Sequence, residues 1–244
     1  MRFLLYNMRY GAGIGRHFHF PVPYSGYLKR TGNNLCKIID FIKSTNPDIV
    51  GLLEVDSGSW RTGKNNQAMA IAQELKHFYV VHSKYSYNSI FQKVPVLNKQ
   101  CNAFITNQEI MTKKFHYFKQ GIKRLIIELE FKDYKIFLVH LSLKFRHRLY
   151  QLNDLYSLIN NTSKPVIVAG DFNSFRGNHE LDLFLAATGL KSVNDVGKPS
   201  HPSRSPRRQL DYILKSQKIN SIDFQIPEVK LSDHSPLIFD FEIK

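Results

Sequence analysis

Apolar residues along this chain follow two kinds of spacing, and each kind predicts a type of secondary structure. Segments that are apolar throughout, or at every second position, predict strands; they lie at residues 2–6, 48–53, 78–82, 102–106, 110–118, 123–131, 135–141, 166–169, 210–214 and 237–243. Apolar residues three or four positions apart predict amphipathic helices; they lie at residues 31–43, 66–77, 144–160 and 180–188. Strands and helices mixed in this way predict the α/β class.

The first three elements have the order of a βαβ unit. Residues 2–6, 31–43 and 48–53 read as strand, helix and strand, and such a unit pairs its strands in parallel. Asn7 and Glu54 follow the two strands. Parallel pairing would bring both side chains to the same edge of the sheet, where α/β proteins place their functional sites.

Two later segments predict a hairpin and a long helix. Lys132 and Asp133 separate two strand-like runs, which predicts an antiparallel hairpin. In the helix at residues 144–160, the apolar positions predict the buried face; they are Leu149, Leu152, Leu155, Tyr156 and Ile159. We find no repeat and no linker, and we expect a single domain over residues 1–244.

In the stretch V-I-V-A-G-D-F-N-S at residues 166–174, a predicted buried strand is followed directly by residues that could bind a metal ion or a phosphate. Asp171 and Asn173 are two positions apart, so an extended backbone would direct both side chains to one side. A carboxylate beside a carboxamide suits a hard cation and a phosphate oxygen. The alternative interpretation is an ordinary turn, because Gly, Asp, Asn and Ser all favour turns.

Composition points to a globular protein with an anionic partner. Of 244 residues, 43% are hydrophobic and 22% are charged, and the net charge is +14. The positive charge favours nucleic acid, a nucleotide or a lipid headgroup, although a solvated basic surface would give the same value. The two cysteines form no CxxC pair, so neither a disulfide framework nor a thiolate metal site is expected.

The expected location follows from two missing patterns in the sequence. No apolar run reaches transmembrane length, and the run that begins at Arg2 is too short for a signal peptide. We therefore expect a cytoplasmic protein by default, with export by a route without a cleaved signal as the alternative.

Eight polar residues share one kind of position, within or at the end of an apolar, strand-like segment. They are Asn7, Glu54, His140, Asp171, Asn173, Asp211, Asp233 and His234. Carboxylates are rarely buried without a partner, and this set allows metal-assisted attack on phosphorus. Carboxylates bind Mg²⁺ through oxygen, histidine activates water, and amides hold phosphate.

At these residues the sequence resembles the endonuclease/exonuclease/phosphatase superfamily, which has the deoxyribonuclease-I-like fold. The motifs occur in the family's order; they are Y-N at 6–7, L-L-E at 52–54, V-H-L at 139–141, G-D-F-N-S at 170–174, L-D-Y-I-L at 210–214 and S-D-H-S-P at 232–236. The resemblance implies a four-layer α/β sandwich, in which two packed mixed β-sheets are flanked by helices.

The resemblance also implies a metal site for Mg²⁺, with Mn²⁺ as an alternative. Glu54 would be the principal ligand, Asn7 would lie beside it, and Asp233 would support the site. Oxygen donors of this kind, without a cysteine cluster, suit Mg²⁺ or Mn²⁺ better than structural zinc.

The catalytic roles come from the same resemblance. Asp171 and Asn173 would position the nucleophilic water and the phosphate. His234 would act as general base or as an imidazolium that holds the phosphate, oriented by a hydrogen bond to Asp211. His140 would stabilise the transition state or protonate the leaving group, as in the deoxyribonuclease and sphingomyelinase branches.

The substrate stays open among three kinds of function. A nuclease acting on DNA or RNA is favoured by the net charge and by Arg204, Arg207 and Arg208. Hydrolysis of a phospholipid or a small phosphate ester is favoured by aromatic loops at residues 17–27 and 85–91, which would contact a membrane. A non-catalytic binding module is the third function, and the complete residue set argues against it. No feature identifies a protein partner.

Overall fold

The strands in the described part of the chain pair into two sheets of six. The computed structural model describes residues 1–15, 30–87, 89–122 and 125–244. The strands are β1 (Arg2–Asn7), β2 (Ile49–Asp56), β3 (Phe78–Ser83), β4 (Gln100–Thr106), β5 (Thr112–Tyr117), β6 (Leu125–Glu130), β7 (Lys135–His140), β8 (Val166–Asp171), β9 (Lys191–Ser192), β10 (Asp211–Lys215), β11 (Ile219–Gln225) and β12 (Leu237–Ile243). The helices are α1 (Leu35–Thr45), α2 (Gln67–Leu75), α3 (Phe145–Asn160) and α4 (Asp182–Thr188).

Each sheet mixes parallel and antiparallel pairs. The first has the order β11-β12-β1-β2-β4-β3, and the second has the order β5-β6-β7-β8-β10-β9. β1 and β2 are parallel, which confirms the βαβ prediction, and β6 and β7 form the predicted hairpin. β7 and β8 are also parallel, whereas β10 runs antiparallel to β8.

The two sheets pack face to face, and the helices cover their outer faces. In β1, Phe3 and Leu5 join the core between the sheets, whereas Leu4 and Tyr6 pack in the cluster that contains α1 and α2. The outer face of the second sheet packs with α3 and α4 in the same way. Successive residues of a strand therefore pack on opposite faces of the sheet, in two different hydrophobic cores. This arrangement confirms the expected four-layer sandwich.

Several predictions about individual elements were wrong. The strand predicted at residues 48–53 continues to Asp56, because a register shift between Leu52 and Val55 lets the chain bulge at Glu54 and resume pairing. Leu149 was predicted to be buried but is 45% exposed. In α3 the buried positions include the polar residues Arg148 and Gln151 instead.

Membrane contact was considered for two features of the chain, a spanning helix and the aromatic loops. Within the described ranges, we find no helix whose length and apolar character would let it span a membrane. The aromatic loop at residues 17–27 lies outside the described residues. In the other aromatic loop, Tyr85 packs in a small core with Val96 and Leu97, whereas Tyr87 is exposed.

Candidate active site

Strand ends of both sheets meet at one cleft, which has a volume of about 820 Å³. β1 and β2 supply residues from the first sheet, β8 and the turn after it supply residues from the second, and the turn before β12 closes the side. Six of the predicted residues line this cleft: Asn7, Glu54, Asp171, Asn173, Asp233 and His234. His140 and Asp211 contact residues of the lining from behind. The structure therefore brings together all eight polar residues that the strand ends predicted.

Four of the eight non-glycine residues with positive φ in the described part of the chain line the cleft. Arg9, Tyr10, Glu54 and Asn173 have φ values of 46°, 57°, 54° and 51°, and all four line the cleft. Residues other than glycine seldom adopt this left-handed conformation, and it persists where surrounding structure enforces it, often at functional sites. At Glu54 the bulge in β2 has this effect, because it turns the carboxylate out of the alternating pattern of the strand.

Asp171 is the centre of the polar network. Its Oδ2 accepts a hydrogen bond from Asn7 Nδ2 at 3.2 Å and lies 3.2 Å from His140 Nε2 and 3.8 Å from His234 Nε2. The register of the second sheet explains the contact with His140, because Asp171 is opposite His140 on β7. It also places Asp211, which contacts His234, opposite Asp171 on β10. The buried carboxylate is therefore surrounded by donors from both sheets.

Asn173 reaches the cleft through a turn rather than in an extended segment, since its φ is 51°. Its backbone N–H donates to Asp171 Oδ1 at 3.0 Å, and its Nδ2 donates to the carbonyl of Leu141 at 2.8 Å. Gly170 makes the close strand contact before this turn, because a Cβ there would lie 1.8 Å from the carbonyl oxygen of Val139. The turn thus fixes the amide of Asn173 beside the carboxylate of Asp171.

His234 and Asp211 form a buried pair. His234 Nδ1 lies 2.7 Å from Asp211 Oδ2, which also accepts a hydrogen bond from Ser200 Oγ at 2.6 Å. This contact leaves Nε2 of His234 directed towards Asp171. A carboxylate that holds one imidazole nitrogen fixes the ring and the tautomer, so the other nitrogen can serve a ligand.

Electrostatics favour the imidazolium form of His234. Burial lowers the pKa of His234, but the carboxylates of Asp211, Asp171 and Asp233 outweigh burial and raise the pKa to about 10. Burial also raises the pKa of Asp211, and the hydrogen bond from His234 opposes that shift. We place the shared proton on His234, because three carboxylates surround it. His234 is therefore a cation near neutral pH rather than a ready proton acceptor.

The oxygen donors of the cleft fit a hard divalent cation. Glu54 and Asp233 offer carboxylates and Asn7 offers a carboxamide oxygen, all from residues that line the cleft. Among the described residues, Glu54 is in neither group of three carboxylates and histidines whose ligand atoms lie within 4.8 Å of one another. Glu54 Oε1 lies 3.6 Å from Lys84 Nζ, and Asp233 Oδ2 lies 3.2 Å from Arg9 Nε. Each carboxylate therefore already has a cationic neighbour.

Nitrogen donors lie in the same region. Ligand atoms of His201, Asp233 and His234 lie within 4.8 Å of one another, and so do those of Asp171, Asp211 and His234. Burial lowers the pKa of His201 to about 4, and its ring packs against that of His234 with centroids 4.6 Å apart. His201 is thus a neutral imidazole in the wall of the cleft.

The predicted substrate-binding arginines lie outside the cleft lining. Arg204, Arg207 and Arg208 are exposed on the loop before β10. Two of them contact lining residues from outside. The backbone N–H groups of Arg207 and Arg208 donate to the carbonyl of His201 at 3.0 and 2.9 Å, and the guanidinium of Arg208 lies 5.5 Å from the ring centroid of Phe175.

Several lining residues were missed by the sequence analysis: Arg9, Tyr10, Lys84, Tyr85 and His201. The mixture of lysines and aromatic residues after β3 was a usable signal for two of them. The others gave no signal, since their importance depends on contacts between distant parts of the chain.

Comparison with known proteins agrees with this geometry. A profile of the Endonuclease/Exonuclease/phosphatase family matches residues 4–234. The chain belongs to this family. Family members are generally hydrolases of phosphoester bonds, and the two packed sheets with flanking helices have the deoxyribonuclease-I-like fold of the superfamily.

Curated bacterial proteins are similar to part of this chain. The uncharacterized protein YbhP of Escherichia coli is 33% identical over 132 residues, which are 49% of this chain and 51% of YbhP. The chain spans between about a third and a half of the length of the curated relatives it matches.

Two solved structures show the same fold. An endonuclease/exonuclease/phosphatase from Beutenbergia cavernae has a TM-score of 0.72 and 16% identity, and the match covers 99% of this chain and 71% of that one. The human Nocturnin catalytic domain, solved with a bound sulfate anion, has a TM-score of 0.70 and 21% identity, with 100% and 93% covered.

Proposed function

We propose that the protein is a phosphodiesterase that uses Mg²⁺ or Mn²⁺ and acts on nucleic acid. The observation that carries this proposal is the network around Asp171, which contacts Asn7, His140 and His234 in the same cleft as the Glu54 carboxylate. Family membership supplies the reaction class, and the network supplies groups suited to a water nucleophile and a phosphate.

Glu54, Asn7 and Asp233 would hold the metal ion, as the resemblance implies. When bound, the ion would polarise a phosphoryl oxygen and offset the charge that develops on it. Asp171 orients the attacking water and accepts its proton, because its carboxylate is the anionic centre of the network. Asn173 supports this position through its backbone hydrogen bond to Asp171.

The two histidines act on the phosphate. His234 donates a hydrogen bond from Nε2 to a phosphate oxygen, because its pKa of about 10 keeps it an imidazolium and Asp211 holds its Nδ1. Of the two roles considered from sequence, the electrostatics favour the phosphate-holding cation over the general base. His140, 3.2 Å from Asp171, stabilises the transition state or protonates the leaving group.

Two observations bear on the substrate. The net charge of +14 and the pairing of Arg208 with Phe175 favour nucleic acid, which basic and aromatic side chains bind together. A lipid or small phosphate ester is the second candidate, favoured by Leu143, which is 64% exposed although it lines the cleft. An apolar group on the substrate would cover this side chain.

A panel of substrates tests both parts of the proposal. The panel contains plasmid DNA, RNA, an abasic-site duplex, sphingomyelin and inositol phosphates, each with Mg²⁺ and with EDTA. We expect plasmid or RNA cleavage that vanishes in EDTA and returns with added Mg²⁺. Full activity in chelator would contradict the metal mechanism, and hydrolysis confined to sphingomyelin or inositol phosphates would replace nucleic acid by the second candidate.

A further inference from the structure

Lys84 is a buried lysine that faces the cleft. It follows β3, is 3% exposed and lines the cleft beside Glu54. Its Nζ donates to Tyr10 Oη at 2.8 Å and lies 3.6 Å from Glu54 Oε1. Lysines are almost never fully buried unless they are paired, so the contact with Glu54 accounts for a charge in this position.

Arg9 is a second cation in the cleft, and it contacts the carboxylate of Asp233 as Lys84 contacts that of Glu54. Arg9 Nε lies 3.2 Å from Asp233 Oδ2, and Arg9 Nη1 donates to the carbonyl of Gly13 at 3.1 Å. Arg9 and Tyr10 both have left-handed backbones. Because this conformation is unfavourable for both residues, the fold accepts strain to bring Arg9 to Asp233 and the Tyr10 hydroxyl to Lys84.

Two cationic or imidazole nitrogens lie near the Glu54 carboxylate. Lys84 Nζ lies 3.6 Å from Glu54 Oε1, and His140 Nε2 lies 4.0 Å from the same oxygen. His140 is 1% exposed and also contacts Asp171, whereas Lys84 lines the cleft. Lys84 therefore places a positive charge beside Glu54 on the cleft side.

We propose that Lys84 competes with a divalent cation for the Glu54 carboxylate and so lowers the affinity of the cleft for such cations. The inference rests on the proposed function, since it takes Glu54 as a metal ligand. A positive charge near a divalent cation repels that cation, and burial leaves little water to screen the repulsion. The ammonium thus competes with the metal for one carboxylate oxygen.

Other roles for Lys84 make a different prediction. A lysine that only packed against Tyr10, or only contacted the substrate phosphate, would leave the metal affinity of the substrate-free protein unchanged when its charge is removed. Binding of Mg²⁺ without substrate therefore separates the inference from these roles, and it does not depend on activity.

Isothermal titration of the full chain with Mg²⁺ tests the inference. We expect Lys84→Met to bind Mg²⁺ at least about tenfold more tightly than wild type, because the competing charge is gone. Lys84→Arg, which keeps the charge, should stay close to wild type. Lys43→Met is the matched control, since Lys43 forms an exposed ion pair of 2.9 Å with Glu74 outside the cleft lining; it should not change the affinity.

Two results would contradict the inference, and they are distinguishable. If wild type binds Mg²⁺ and folded Lys84→Met binds it equally or more weakly, the inference is wrong while the proposed function stands. If neither wild type nor Lys84→Met binds Mg²⁺ or Mn²⁺, the proposed function fails together with the inference. Lys84→Gln removes the charge but keeps a donor for Tyr10, and it gives the same comparison should Lys84→Met not fold.

Discussion

At the scale of single residues, the proposed chemistry depends on polar side chains at strand ends, and their placement was largely predictable. Asp171, Asn7 and His140 each end an apolar strand, and the structure brings them into contact. The cations were harder to predict. The lysines and aromatic residues after β3 were a weak signal for Lys84, whereas nothing local distinguishes Arg9 from a surface arginine, because its partner Asp233 is distant in sequence.

The charge state of His234 is a prediction at this scale. In metal-free protein we expect nitrogen NMR shifts to show His234 as an imidazolium at pH 8, with a titration midpoint near its pKa of about 10. His201 should remain neutral down to its pKa of about 4. Replacing Asp211 by Asn should lower the pKa of His234, because the nearest carboxylate is lost.

The same shift has a consequence for stability. Because the folded pKa of His234 lies above its ordinary value of 6.5, the stabilisation from this ion pair is fully present below about pH 6.5 and is lost as the pH rises towards 10. A His234 that titrates near 6.5 in the metal-free protein would contradict the proposed imidazolium role.

At the scale of elements, the most strongly patterned segments were predicted well, whereas the edge strands β9 and β11 were missed. β11 was missed because it is an edge strand with mostly exposed or half-buried residues, so its sequence lacks a continuous apolar face. In α3 the apolar periodicity pointed to Leu149, but Arg148 and Gln151 are buried there. Periodicity cannot show that a polar side chain will find partners in the interior.

Arg148 is a buried polar residue of α3 whose partners lie in loops beside the cleft. Its guanidinium contacts Glu180 Oε2 at 2.5 and 2.9 Å and donates to the carbonyls of Ser142 and Leu143. Glu180 Oε1 in turn accepts from the backbone N–H of Arg176. The pair therefore joins the loop after β7 to the loop after β8, and both loops contribute residues to the cleft wall.

Removal of Arg148 should therefore be costly. We expect Arg148→Met to lower the free energy of unfolding by about 3–5 kcal/mol, because it leaves the buried Glu180 carboxylate without its cation. Arg2→Met is the control, since Arg2 pairs with Asp240 at 2.7 Å but its side chain is 40% exposed; a loss of roughly 0–1 kcal/mol is expected there. Equal losses in denaturant unfolding would show that the Arg148 pair is no stronger than a surface pair.

At the scale of the whole molecule, the faces of the sheets stabilise the fold and the strand ends form the cleft. The faces between the sheets are apolar, while the strand ends of both sheets supply one polar cleft. Local patterns predicted the strands but not their pairing across sheets; that part came from the family resemblance. The net charge of +14 is consistent with an anionic substrate, yet the arginines chosen from sequence do not line the cleft. A run of charged residues in a sequence indicates an exposed surface, whereas the wall of a cleft is formed by loops that are distant from one another in sequence.

The most direct test of catalysis at this cleft is a double-mutant cycle on Asp211 and His234, with turnover measured on the best phosphodiester substrate in Mg²⁺. His234→Ala should lose at least about a hundredfold in turnover. Asp211→Asn should also be strongly impaired, and the double mutant should be little worse than His234→Ala, because the pair acts as a unit. Thermal melts show which variants are folded. Near-normal turnover in folded His234→Ala, or fully additive losses in the cycle, would contradict the account.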